Sequence, residues 1–370
     1  MVLWTAAGAA AAVTGIVAGA LWYVTGRFLT PVDTLPMRTE ILSATPSSVT
    51  LPRDDTSIRT GTYGLEWEEP RSGETGSAVL GDVLSATSST VTRELVDGST
   101  PRPGAKARIM VTVWGGDPSQ VGLPFSSVEI DSPVGMLPAW LVPADSSTWV
   151  IQVHGLGAGR SAGLRMMPAL NHLGLPVLAI TYRNDPGAPS EGDGNRQLGD
   201  TEWHDLDAAV RYAVSHGARE VVLYGFSMGG AIVETYLDRA SDTSAVSAVV
   251  LDAPVLDYRA AIDHVVGSLR LPRAVGWVEE RIVSLRSGVD LSAVDALSSN
   301  RRSGGPGQPV LVFHGTGDTL VPLSTSEQLA EEWPEDVTLV VTDGAPHTGS
   351  WNIDPEGYER RLTQFLTRDT

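Results

Sequence analysis

From about residue 125 onward, short apolar runs alternate with longer segments whose apolar positions recur at helical spacing. The runs at 149–153, 177–181, 221–224, 245–251, 309–314 and 337–341 have the length and the Val/Ile content of strands buried on both faces. Between them, residues 161–173, 203–215 and 230–237 read as helices; Gly174 stops the first and Gly217 the second. Strand alternating with helix predicts a mostly parallel, doubly wound sheet. Residues 127–130 and 136–142 read as a hairpin turned by Asp131-Ser132-Pro133. A helical insertion of two or three helices occupies about 256–300.

Upstream the texture changes. Residues 30–124 are rich in Ser, Thr, Gly and Pro, and the segments 77–84, 90–96 and 106–114 read as short strands. This predicts a β-rich accessory region without evident chemistry. Residues 2–26 carry no charge and are followed by Arg27. As a helix that run spans about 30 Å of hydrocarbon, and Trp22 and Tyr23 stand near one end, where interfacial aromatics belong. The expectation is a transmembrane anchor over residues 1–29. A cleavable signal peptide with Ala18-Gly19-Ala20 as its cleavage site is the rival reading; the absence of Lys or Arg before the run and the apolar residues after Ala20 weigh against it. Arg27 and Arg38 on the C-terminal side favour a cytoplasmic enzyme by the positive-inside rule.

The chemistry centres on Gly225-Phe226-Ser227-Met228-Gly229, between an apolar run and a helical segment. G-x-S-x-G at a strand-to-helix turn holds a serine on a strained backbone at a helix N-terminus, and glycines remove the Cβ atoms that would clash. A serine needs a base, and the base needs an orienting acid. Asp318 and His347 each follow the C-terminal end of a predicted strand, where open α/β sheets build their sites. Asp252, after its own strand, is the alternative acid, and Asp343 is less favoured. Two N–H groups should hold an oxyanion: that of Met228, after the serine, and that of Leu156 in His154-Gly155-Leu156-Gly157. His154 and His314 read as braces of their loops, and Arg183 as a salt-bridge or loop-positioning residue.

His154-Gly155-Leu156-Gly157, Tyr182-Arg183, Ser190-Glu191-Gly192, Gly225 to Gly229, His314-Gly315-Thr316-Gly317-Asp318 and His347 together resemble the α/β-hydrolase superfamily, nearest to its esterases and serine-aminopeptidase-like serine hydrolases. The resemblance covers residues from about 125 to 370. It implies Ser227 as nucleophile, Asp318 as acid and His347 as base, with the 256–300 insertion as a lid. It also implies acyl transfer to water from an ester, thioester or amide without a metal or organic cofactor. Tyr182-Arg183 is followed by Asn184-Asp185-Pro186, where relatives commonly have a small glycine-rich turn, and the polar stretch to Asp200 is long. Both departures bear on the substrate entrance.

Charge narrows the field. Lys+Arg 26 against Asp+Glu 44 gives −18, which argues against non-specific nucleic-acid binding. With Cys 0 there is no disulfide, thiolate metal site or cysteine nucleophile. The expected partners are a small acyl substrate, lipophilic if the lid and anchor act together, and a membrane. A serine peptidase of the same fold and a non-catalytic binding module are the competing readings.

Overall fold

A computed structural model describes residues 19, 21–23, 25–26, 28–31, 36–69 and 73–368. Two sheets dominate them. The first holds β1 (Thr39–Glu40), β2 (Ser43–Thr45), β3 (Ser48–Pro52), β4 (Tyr63–Glu68), β5 (Thr75–Ala86), β6 (Thr90–Gly98) and β7 (Lys106–Met110), in the order β1-β7-β4-β5-β6-β3-β2. Every pairing in it is antiparallel. Alternation along β4 sends Tyr63, Leu65 and Trp67 into a small core with Leu51, Leu80 and Ala107. The strand predicted over 106–114 ends at Met110, because the chain turns through Val113 at φ 64, outside the β region.

The second sheet holds β8 (Ser126–Ser132), β9 (Gly135–Val142), β10 (Thr148–Val153), β11 (Val177–Ile180), β12 (Glu220–Phe226), β13 (Val246–Asp252), β14 (Val310–Gly315) and β15 (Val337–Thr342). Its order is β15-β14-β13-β12-β10-β11-β9-β8. Strands β15 to β11 run parallel, and the β8–β9 hairpin closes one edge antiparallel. The central strand β12 is apolar on both faces because both are covered. Val221 and Leu223 join one core with α2 (Trp203–Ser215) and α3 (Met228–Arg239). Val222, Tyr224 and Phe226 join the other with α1 (Met167–His172) and the C-terminal helix.

The helix expected over 161–173 is interrupted. A 3-10 turn, Arg160–Gly163, precedes α1. Gly163 lies so close to Gln152 that an added Cβ would stand 1.9 Å from Oε1, and Gln152 donates to the Gly163 carbonyl. That contact holds the first half out of helical register, and Pro168 restarts the helix at a position where no N–H is needed. Between β13 and β14 the insertion forms α4 (Tyr258–Ser268), α5 (Arg273–Ser287) and α6 (Ala296–Ser303).

Most of the expected transmembrane run lies outside the described residues. Among the described residues no helix is long and apolar enough to cross a membrane. The described end of that run is helical and joins the fold. Leu29 has no exposed surface and sits in the larger core. Its carbonyl accepts from the N–H of Arg196 (3.0 Å), and the Thr25 hydroxyl donates to Glu279 of α5 (2.6 Å). Arg286 of α5 donates to the Trp22 carbonyl and lies over its ring, 4.8 Å from the centroid.

Candidate active site

Strand β12 delivers Ser227 to the sheet edge at φ 52, ψ −117. A non-glycine residue so placed carries roughly 1–3 kcal/mol of strain, which the surroundings must hold. They do so through backbone: Ser227 N–H donates to the Asp252 carbonyl (2.9 Å), and the Ser227 carbonyl accepts from Gly230 (2.9 Å) and Val255 (3.1 Å). Glycine is required on both sides. A Cβ at Gly225 would stand 2.7 Å from Gly230 backbone, and one at Gly229 2.0 Å from the Val153 carbonyl oxygen. Helix α3 begins at Met228, so the hydroxyl sits at a helix N-terminus.

Helix α7 (Leu323–Glu332) lies between β14 and β15, and His347 lies in the loop between β15 and α8 (Ser350–Ile353). Its Nε2 is 2.8 Å from Ser227 Oγ, and its Nδ1 is 2.6 Å from Asp318 Oδ2. A carboxylate facing Nδ1 places the proton there and leaves Nε2 as acceptor for the serine. Asp318 follows β14. Its other oxygen, Oδ1, accepts from the N–H groups of Leu320 (2.8 Å) and Val321 (2.9 Å). Burial alone would raise this carboxyl. Hydrogen bonds from His314 and His347, the charge of His347 and the Val321 N–H overcome it and hold the group well below the usual carboxylate range. The three residues named from the sequence therefore meet, and Asp318 is ionised with both oxygens engaged.

The loop after β10 abuts Ser227. A Cβ on Gly155 would stand 2.9 Å from Ser227 Cβ and 3.5 Å from its Oγ. Leu156 is the next residue, so the loop carrying it and the start of α3 carrying Met228 flank Ser227. His154 braces this loop. Its Nδ1 is 2.9 Å from the Gly155 carbonyl, its ring stacks on Tyr182 at 4.4 Å, and its Nε2 lies 2.8 Å from Asp185.

The alternative acid is elsewhere. Asp252 is fully buried, and its Oδ2 accepts from the Tyr358 hydroxyl (3.0 Å); burial pushes its carboxyl up. Asp343 accepts from Thr316. His314 Nε2 faces the Val321 carbonyl (3.2 Å) and Asp318 Oδ2 (3.3 Å), and its Nδ1 faces the Ser326 hydroxyl (2.8 Å). It supports the acid from behind. Arg183 is buried and paired through two nitrogens with Asp205 (2.8 and 2.9 Å), which fixes the start of the 184–200 loop. Sequence reasoning missed His264 of α4, whose Nε2 is 2.9 Å from the Asp318 carbonyl. It also missed Arg165 and Asn352, both buried beside the His347 loop. None of the three has a local pattern that would mark it.

A family model described as alpha/beta hydrolase fold matches residues 148–271, which include Ser227 but neither Asp318 nor His347. A second model, a domain of unknown function, matches residues 40–110, the span of the first sheet. An uncharacterized protein of Mycobacterium tuberculosis is 28% identical over 249 residues, 65% of this chain and 78% of the relative. The uncharacterized protein YfhR of Escherichia coli is 22% identical over 266 residues, 69% and 83% of the two chains. Among solved structures, an esterase of Pyrococcus furiosus superposes with a TM-score of 0.55 at 24% identity, covering 68% of this chain and 94% of the esterase. An esterase of Exiguobacterium antarcticum has a TM-score of 0.50 at 17% identity, covering 65% and 99%. At these identities the structural likeness speaks to the fold.

Proposed function

We propose that this protein of the α/β-hydrolase fold is a serine hydrolase of carboxylic esters, held at a membrane by its N-terminal segment. The observation that carries the hydrolase reading is the continuous hydrogen-bonded relay from Asp318 through His347 to Ser227, with Ser227 strained upright against the Gly155-Leu156 loop. In that arrangement Ser227 Oγ attacks the ester carbonyl carbon while His347 Nε2 takes its proton. The carbonyl oxygen becomes an oxyanion held by the N–H groups of Met228 and Leu156. Collapse of this intermediate breaks the bond to the alkoxy group, which leaves with the proton from His347. Water then repeats the sequence on the acyl-enzyme, releasing the acid and restoring Ser227. Asp318 keeps the imidazole in the required tautomer and stabilises its cation.

Labelling by a fluorophosphonate tests the chemistry directly. Well-folded protein is expected to label at one site, Ser227, and unlabelled folded protein would end this reading. Chain-length dependence tests the acyl pocket. If helices α4 to α6 cover a lipophilic group, each added buried methylene contributes about 0.8 kcal/mol, roughly fourfold, so burial of even two of the extra methylenes of the octanoate p-nitrophenyl ester is expected to raise kcat/KM at least about 10-fold over acetate. A steep preference for acetate would remove the lipophilic substrate.

Membrane attachment is supported by the uncharged residues 2–26 and by what surrounds their end. Trp22, Tyr23 and Phe28 are exposed there, and Leu269, Leu271, Trp277 and Leu285 are exposed on and beside α5, the helix to which that end is bonded. The full chain is expected to sediment with membranes, resist alkaline carbonate and dissolve in detergent. Recovery in the carbonate supernatant would count against an anchor.

A further inference from the structure

We infer that the N-terminal antiparallel sheet is a positioning element for His347, acting through Asn352 and Arg165. The inference rests on the reading of His347 as the base. It assigns a role to residues 39–110, in which no chemistry is found.

His347 stands in a loop without regular structure, and the next residue, Thr348, has φ 51. Within the loop, the Gly349 N–H donates to the Pro346 carbonyl (2.8 Å) and the Ala345 carbonyl accepts from Gly317 N–H (3.0 Å), while Asp318 holds the ring itself; a displacement of about 1 Å can cost on the order of 100-fold in rate. A further restraint on the far side of the loop comes from two buried side chains, Arg165 and Asn352. Arg165 Nη1 donates to the Thr348 carbonyl (2.8 Å) and to Asn352 Oδ1 (2.6 Å). Asn352, in α8, has no exposed surface. Its Nδ2 donates to the carbonyls of Thr62 (2.6 Å) and Val111 (2.9 Å), at the ends of β4 and β7, and the main-chain carbonyl of Asn352 accepts from Thr62 N–H (2.8 Å). One planar amide thus joins two strand ends of the first sheet to the cation that holds the histidine loop. Only a group with two donors and one acceptor fills this position.

The sheet side of the joint is stiff. Arg93, buried in the first sheet, donates to the carbonyls of Arg59 (2.7 Å) and Gly61 (2.6 Å) and so fixes the loop that leads into Thr62. Gly61 lies against α8 at φ 101; a Cβ there would stand 2.2 Å from the Asn352 carbonyl oxygen. Trp114 packs edge-on against Trp351, ring centroids 6.1 Å apart. The first sheet and the chain just beyond it therefore grip the segment directly after the His347 loop.

The test compares full-chain wild type with Asn352→Leu, which removes every side-chain bond, and Asn352→Asp, which keeps the Arg165 contact and loses the two donors. Gly61→Ala, outside the hydrolase domain, wedges the joint from the other side. Kinetics on a short ester are read well below the lowest Tm of the set. The expected result is a fall in kcat of about 10- to 100-fold for Asn352→Leu, less for the other two, with KM within about twofold and fluorophosphonate labelling slowed in parallel. Folded variants with lowered Tm but wild-type kcat and labelling rate would overturn the inference and leave the joint a matter of stability. If Asn352→Leu does not fold, the other two variants decide. A readout independent of turnover is the downfield imidazole proton resonance of His347, expected to broaden or shift in the variants; an unchanged resonance also overturns the inference. Wild type that neither labels nor hydrolyses would instead defeat the hydrolase reading, and the resonance would still judge the positioning.

Discussion

Ser227→Ala is expected to reduce ester hydrolysis by about 10^5-fold or more and to abolish fluorophosphonate labelling, with Tm close to wild type. The loss is large because Ser227 Oγ is the one atom to which the bonded relay leads. The histidine, the acid and the two N–H groups have nothing to activate without it. Stability is preserved because alanine keeps the Cβ, the backbone at φ 52 and the bonds made by the main chain of residue 227. Any strain at the turn is therefore unchanged. Circular dichroism and a thermal scan beside the assay separate lost chemistry from lost fold. Residual turnover above about 1% of wild type would show that another nucleophile does the work.

Asp318→Asn is expected to cost about 10^4-fold in kcat, with a loss of stability that Ser227→Ala does not show. Both carboxylate oxygens face donors: Oδ1 the N–H groups of Leu320 and Val321, Oδ2 the His347 ring. An amide must turn its NH2 toward one of these pairs whichever way it is placed. Facing His347, it drives the imidazole to the wrong tautomer; facing the turn, it opposes two N–H groups. Asp252→Asn is the control. Its carboxyl bonds to Tyr358 rather than His347, and activity is expected to stay within about tenfold of wild type, since surface or structural losses without triad contact leave the transition state intact.

The stability lost in Asp318→Asn depends on pH. Burial opposes ionisation of Asp318, but the His314 and His347 hydrogen bonds win and its folded pKa is lowered. A carboxylate with a depressed pKa contributes stability that is complete above the unfolded value of about 3.9 and is lost as pH falls from there toward the folded value. The Tm gap between wild type and Asp318→Asn is therefore expected to narrow as pH falls below about 4. A gap that widens in acid would contradict the assigned sign.

Much of the core is legible in the sequence, because its determinants are local. Buried parallel strands read as continuous apolar runs, and glycine marks the places where backbone passes backbone. Gly225, Gly229 and Gly155 stand where an added Cβ would meet neighbouring chain at 2.0–2.9 Å. The strand ends at Gly315 and Thr342 explain why Asp318 and His347 could be named from order and spacing. The interrupted helix after β10 was not legible, because its break depends on a contact between Gly163 and Gln152.

By itself, then, the chain's pattern determined the alternation of strand and helix, the serine turn, and a short list of acids and bases at strand ends. Tertiary structure set Asp318, and not Asp252 or Asp343, against His347, paired seven strands into a separate sheet, and brought the end of the apolar N-terminal run onto α5. It also joined Asn352 to Arg165 and to Thr62, residues 187 and 290 positions away. Period and capping are short-range and repeat along the chain, so they leave a visible pattern. A single amide bonded across hundreds of residues repeats nothing, and only the folded chain reveals what it holds.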